Sequence, residues 1–177
     1  MPRRVVAIAV LTIGLVLPPA IRLTGAETFG DWVVETKSEG AFAASMNDSG
    51  NAFGQFCNPA ERVCFWVIAL TQNCTENHRY PVLANSDAGA VPLQVVCRGY
   101  VSEGKYRYVF TEFEAVDRIV RQGSQGSRIG FAIPLQGGDF IAVRFALRGA
   151  VSAIDKMRAD AESRIPPSTS GTKDKRL

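Results

Sequence analysis

Apolar residues recur at every second position through much of this chain, the period of a β-strand with one buried face. Phe140 to Leu147 is the clearest case: Ile141, Val143, Phe145 and Leu147 share one face, while Ala142, Arg144, Ala146 and Arg148 share the other. Arg128 to Leu135 predicts its hairpin partner, with the turn at Gln136-Gly137-Gly138-Asp139. Thr28 to Glu35 predicts a first strand with Trp32 and Val34 on one face and Val33 on the other. Residues 36–56 hold Gly40, Asn47, Asp48, Ser49, Gly50, Asn51 and Gly54 and predict a long surface loop. Arg62 to Thr71 is apolar at both alternating sets, which predicts a central strand covered from both sides.

Tyr80 to Ala84 predicts a short strand ended by Asn85-Ser86-Asp87-Ala88-Gly89, and Val91 to Cys97 another. Pro92 has no N–H for a ladder and restricts that strand to an edge or a strand start. Lys105 to Phe113 is rich in aromatic and β-branched residues, as strands are. Residues 114–122 (EAVDRIVRQ) fit either a helical turn or a strand, and Gly123 to Ser127 a flexible turn. Beyond Gly149 the period changes: Val151, Ile154 and Met157 or Ala161 make one helical stripe within Ala150 to Arg164, stopped by Pro166-Pro167. The fold class is mainly β, an antiparallel β-sandwich or flattened barrel with one C-terminal α-helix.

The first 26 residues follow a different rule. Arg3 and Arg4 precede an apolar run from Val5 to Leu17, then Pro18-Pro19 and small residues ending Thr24-Gly25-Ala26. That order is a secretory signal peptide, and the run is shorter than the roughly 20 residues a membrane span requires. The reading is a signal at 1–26, one β-rich domain at 27–165 and a polar, disordered tail at 166–177. No lipobox cysteine stands near residue 26, so the mature chain is expected without a lipid anchor or stable membrane insertion.

Export changes the charge picture. Removing Arg3, Arg4 and Arg22 leaves as many cations as the 17 acids, so the basic balance of the whole chain gives no argument for nucleic acid as a partner. Cys57, Cys64, Cys74 and Cys97 all lie in the mature part, and an even count in an exported chain favours disulfides. Four cysteines allow three pairings; Cys57–Cys64 with Cys74–Cys97 is preferred here because each then closes a local loop. The spacings lack the tight pairs of a zinc site and the C-x-x-C of a redox site.

Two terminal segments carry a family resemblance. Phe29-Gly30-Asp31-Trp32-Val33-Val34 resembles the FGDW opening of the invasion-associated locus B family of exported bacterial proteins. Ile133-Pro134-Leu135, with Phe145-Ala146-Leu147-Arg148-Gly149-Ala150 running on to Ile154, resembles that family's last strand and short helix. The resemblance implies a small periplasmic or surface-exposed β protein, linked in some members to host-cell entry, with no catalytic residues to transfer. Such proteins often place a cysteine soon after the FGDW strand. Glu35 and Thr36 stand there instead, so no disulfide pairing carries over.

Candidate chemistry is sparse. His78 is the only histidine, and no G-x-S-x-G elbow accompanies it, so an exposed loop histidine is preferred to a hydrolase base. Glu112, Glu114 and Asp117 read as a solvated face rather than an acid–base pair. Asn47 to Asn51 and Asn85 to Asp87 depart from the calcium-loop pattern, and Gly123 to Ser127 lacks the lysine of a phosphate loop. No cofactor is expected. Phe53, Phe56, Tyr100, Tyr106 and Tyr108, with Arg107 and further arginines at 144 and 148, are the candidate contact patch. The function these readings support is a periplasmic or secreted, non-enzymatic interaction protein with a protein or envelope-surface partner; the alternative is a small periplasmic hydrolase using His78.

Overall fold

The structure, a computed structural model, describes residues 26–102, 104–123, 128–134 and 139–165. Residues 1–25 of the signal segment, the tail, and most of the turns read at 123–127 and 136–139 lie outside the described residues. Among the described residues ten strands form one antiparallel sheet in the order β1-β2-β3-β4-β5-β8-β7-β6-β9-β10. They are β1 (Glu27–Phe29), β2 (Trp32–Lys37), β3 (Gly40–Met46), β4 (Ala52–Asn58), β5 (Val63–Leu70), β6 (Arg79–Ser86), β7 (Gly89–Ser102), β8 (Lys105–Phe110), β9 (Arg128–Pro134) and β10 (Phe140–Ala146). Two helices, α1 (Phe113–Gly123) and α2 (Ala150–Glu162), complete the described chain. The mainly β, antiparallel class with a C-terminal helix is therefore the observed one. The sheet is not closed into a barrel.

It is, however, strongly curled. Phe53 on β4 lies 5.6 Å from the ring of Phe145 on β10 and 4.9 Å from Phe131 on β9. In a flat sheet β4 and β10, six positions apart, would be about 29 Å from each other at the usual strand spacing. The same ring stacks on Trp66 of β5 at 5.2 Å and meets Trp32 of β2 edge-on at 6.0 Å. The core is thus the concave face of a single sheet wrapped around one aromatic cluster.

The stretch read as a loop at 36–56 is largely two strands, β3 and β4, joined by Asn47-Asp48-Ser49-Gly50-Asn51. The inward residues of β3 are small because α2 packs there: Ala41 and Ala43 of β3 and Ala150, Ala153 and Ala161 of α2 are all buried. The first strand is likewise a hairpin, β1 and β2, turning at Gly30 and Asp31. Residues 114–122 fall in α1, whose buried set Val116, Ile119, Val120 and Gly123 has helical spacing. Glu114 in its first turn and Arg121 in its last oppose the helix dipole correctly. β5 buries Trp66, Ile68 and Leu70 on the concave side, while its other face is only half-covered, so the expectation of cover on both sides is corrected.

Pro92 sits where the sheet can accept it. β7 pairs with β8 only from Val95 onward, so at Pro92 the strand has β6 alone as neighbour. Both disulfides tie neighbouring segments: Cys57 and Cys64 are cross-strand partners on β4 and β5, and Cys74 is held to Cys97 of β7. Oxidised pairs of this kind fit a chain that folds outside the cytoplasm. Among the described residues no helix is long and apolar enough to cross a membrane.

Candidate functional site

The two ends of the curled sheet meet along a seam. At one end it is stitched: Trp32 Nε1 donates to the Ala146 carbonyl at 2.8 Å, and Asp31 N donates to the Arg148 carbonyl at 3.0 Å. At the other end it opens into a groove of about 730 Å³ between β10 and the Asn47–Asn51 turn. The turn is a rigid wall. Asn47 Oδ1 accepts from Ser49 N and Asn51 N, and Asn51 Oδ1 accepts from Thr71 N at 3.2 Å, tying the turn to the end of β5.

The opposite wall is the free edge of β10, and the direction of its backbone groups follows from the ladder. Gln94 on β7 turns away from β6: its N–H donates to Glu112 Oε2 at 2.9 Å and its carbonyl accepts from Thr111 N at 3.1 Å. That direction repeats at every second residue, so Pro92 faces the same way and its partner Leu83 faces β9. Leu83 and Ala132 then form a hydrogen-bonded pair, and Ala132 and Ala142 a non-hydrogen-bonded one. The N–H and C=O of Ala142 and Arg144 therefore point away from β9, along the groove. Ala146, two residues on, agrees, since its carbonyl is the one that reaches Trp32 across the seam.

The outer face of the sheet beside this edge changes character along the strand. Near its start Phe140 is 69 % exposed and Leu83 on β6 is 48 % exposed, with Pro81, Pro92 and Pro134 around them in an apolar depression of about 370 Å³. Further along, Arg144 is exposed and Arg128 lies at the groove, neither with a carboxylate partner among the described residues. Arg148 differs, because Asp31 holds it with two hydrogen bonds of 2.7 and 3.1 Å. That contact keeps the Asp31 carboxyl below the usual carboxylate range and Arg148 above the usual arginine value.

The aromatic patch read from the sequence is divided. Phe53 and Tyr108 are core residues. Burial pushes the Tyr108 hydroxyl up to about 12, and that hydroxyl donates to the Gln72 and Asn73 carbonyls. Phe56 packs on Phe65 across β4 and β5, while Tyr100, 62 % exposed, packs edge-on against Tyr106 at 5.7 Å. Arg107 is half-buried on β8 and does not join Arg144 in one basic face. His78 sits in the turn braced by Cys74–Cys97, its ring edge-on to Tyr80 at 4.8 Å, with no hydroxyl or carboxylate hydrogen-bonded to it among the described residues. Glu112 caps Gln94, and Asp117 is committed to Arg121 and Arg158, so the acidic run is not one solvated face. Among the described residues no group of three or more His, Cys, Asp or Glu is placed to hold a metal ion. Sequence reasoning missed the groove because its wall lay in the presumed loop at 36–56. The alternation of β10 was visible, but nothing in it says that this strand ends the sheet.

The fold and this groove define a disulfide-braced, open-edged antiparallel β protein with helices on its concave side. No protein-family model, curated protein or solved structure matches the chain.

Proposed function

We propose that this is an exported, non-enzymatic binding module of the bacterial envelope, periplasmic or secreted, that engages a protein or envelope-surface partner through the seam side of its sheet. The observation that carries the reading is the exposure, side by side, of the free edge of β10 and of Leu83 and Phe140 on the adjoining outer face. Apolar side chains grouped on a surface mark contact sites more often than scattered ones do. Among the described residues no hydroxyl or carboxylate is hydrogen-bonded to the His78 ring, whose neighbour is the Tyr80 ring, and this supports a binding role over the hydrolase alternative. The resemblance of the terminal segments to the invasion-associated locus B family is in keeping with an envelope setting and extends the proposal to host interaction.

The test is crosslinking in the intact native host, with a tag replacing the tail, comparing wild type with a Leu83→Asp/Phe140→Asp variant. One dominant envelope or host-derived protein is expected, lost or reduced in the variant. Recovery of uncrosslinked monomer alone would overturn the reading.

A further inference from the structure

A strand whose backbone groups face a groove can accept another strand. Among the described residues β1, β10 and the overhang of β7 before Val95 have no strand on one side, as do the ends of β2, β5 and β6 that outrun their neighbours, and these stretches are not equivalent. β1 is only three residues long, and the overhang of β7 before Val95 carries Pro92, two usual ways of blunting an edge. β10 is seven residues long and contains no proline. Its Ala142 and Arg144 turn both backbone groups into the groove, and among the described residues no side chain or loop uses them.

Charge selects the occupant. Arg144 and Arg128 line the groove, against Asp48 on the facing turn. In a symmetric antiparallel pairing of two β10 strands, Arg144 of each copy would lie on the same face within a strand or so of the other, like charges that destabilise cross-strand pairs. The segment 166–177 is also unsuited, with Lys173, Lys175 and Arg176 against Asp174. We propose that β10 is an acceptor strand: the groove takes an extended, acidic polypeptide segment of a partner protein, which adds along Ala142 and Arg144 by backbone hydrogen bonds and sets carboxylates against Arg144 and Arg128. The proposal rests on the binding-module reading and names the partner's chemistry. Outward side chains of the added strand would meet Phe140 at one end and Arg144 at the other, so an apolar residue and a carboxylate on the same face of the partner strand fit best.

The test uses the full mature protein and a fluorescein-labelled nonapeptide in which threonine and glutamate alternate with valine, read by fluorescence anisotropy. A lysine-for-glutamate peptide is the control. Saturable binding of the glutamate peptide is expected, with the lysine peptide bound at least about tenfold more weakly. Arg144→Glu should reverse that preference. Ala142→Pro removes an N–H that makes no bond to β9, so it should abolish binding while leaving the fold intact. A measurement independent of protein folding is N-methylation of the peptide: blocking every second amide should remove binding, and blocking the alternate set should not. Equal binding of both peptides, an N-methyl effect without alternation, or no binding would overturn the proposal. So would a dimer by sedimentation velocity that Ala142→Pro dissolves, or binding that appears only after residues 166–177 are removed, since a second copy or the tail would then hold the edge. If crosslinking captures a partner that depends on Leu83 and Phe140 but not on Ala142 or Arg144, the binding-module reading stands and the acceptor strand fails.

Discussion

Asp31 and Arg148, 117 residues apart, hold each other through two hydrogen bonds, and Asp31 N also donates to the Arg148 carbonyl. The segment that opens the first hairpin and the segment that joins β10 to α2 thus form one clasp across the seam. The clasp closes one end of the curled sheet and leaves the groove at the other. Because the Arg148 hydrogen bond holds the folded Asp31 carboxyl below 3.8, its contribution to stability is complete above that value and is lost as pH falls through the lower folded one. Asp31→Asn should flatten the acid limb of a plot of melting temperature against pH while changing neutral stability little, because the pair is exposed.

Two glycines make the clasp possible. Gly149 has φ +88°, and a Cβ there would stand 1.9 Å from the Phe29 carbonyl oxygen; Gly30 has φ +58°, and a Cβ there would meet the Arg148 oxygen at 2.6 Å. Gly149→Ala should destabilise the domain by at least about 2 kcal/mol in urea denaturation, the scale of backbone strain plus a backbone clash. A cost below 0.5 kcal/mol would show that the seam is not closed as described.

Truncating Phe53 should separate core from surface among the candidate aromatics. Phe53→Ala removes the ring shared by β2, β5, β8, β9 and β10 and should cost about 3–5 kcal/mol. Tyr100→Ala, at an exposed ring, should stay within about 0.5 kcal/mol. Chemical denaturation of both variants side by side is the check.

Tyr108 gives a signature at high pH. Its folded value near 12 exceeds the ordinary 10 through burial, so its share of stability is full below pH 10 and is lost as pH rises toward 12. Absorbance at 295 nm should show an ionisation with a midpoint near 12 that is missing in Tyr108→Phe.

The two disulfides should differ in weight. By the loop-entropy relation, Cys74–Cys97, spanning 23 residues, stabilises by about 3.5 kcal/mol and Cys57–Cys64, spanning 7, by about 2.5. Replacing each pair by alanines and comparing denaturation midpoints should give the larger loss for Cys74–Cys97. The reverse order would place the stabilisation in the packing around Cys57, which is buried, rather than in the closed loops.

Much of the fold was legible because local pattern and local burial agree. The alternation of Ile141, Val143 and Phe145, the helical stripe of Ile154 and Met157, and the restriction imposed by Pro92 each depend on chain geometry within a few residues. The misreadings share a cause. Ala41 and Ala43 carry little strand signal and are small because a helix more than 100 residues away packs on them. Phe53, beside a glycine- and asparagine-rich turn, looked like a loop aromatic and is the centre of the core. α1 carried its 3.6-residue spacing in Val116, Ile119 and Val120, but a nine-residue window was too short to exclude a strand.

By itself the sequence determined the period of elements such as β10 and α2, the antiparallel β class and the presence of enough cysteines for two disulfides, since these follow from residue type and spacing. Only the tertiary structure decided that the sheet curls until β10 faces β3, that Asp31 meets Arg148, and that Ala142 and Arg144 turn their backbone groups into a groove. Those relations depend on strand order and accumulated twist, which join residues far apart in the chain and leave no mark in any local pattern.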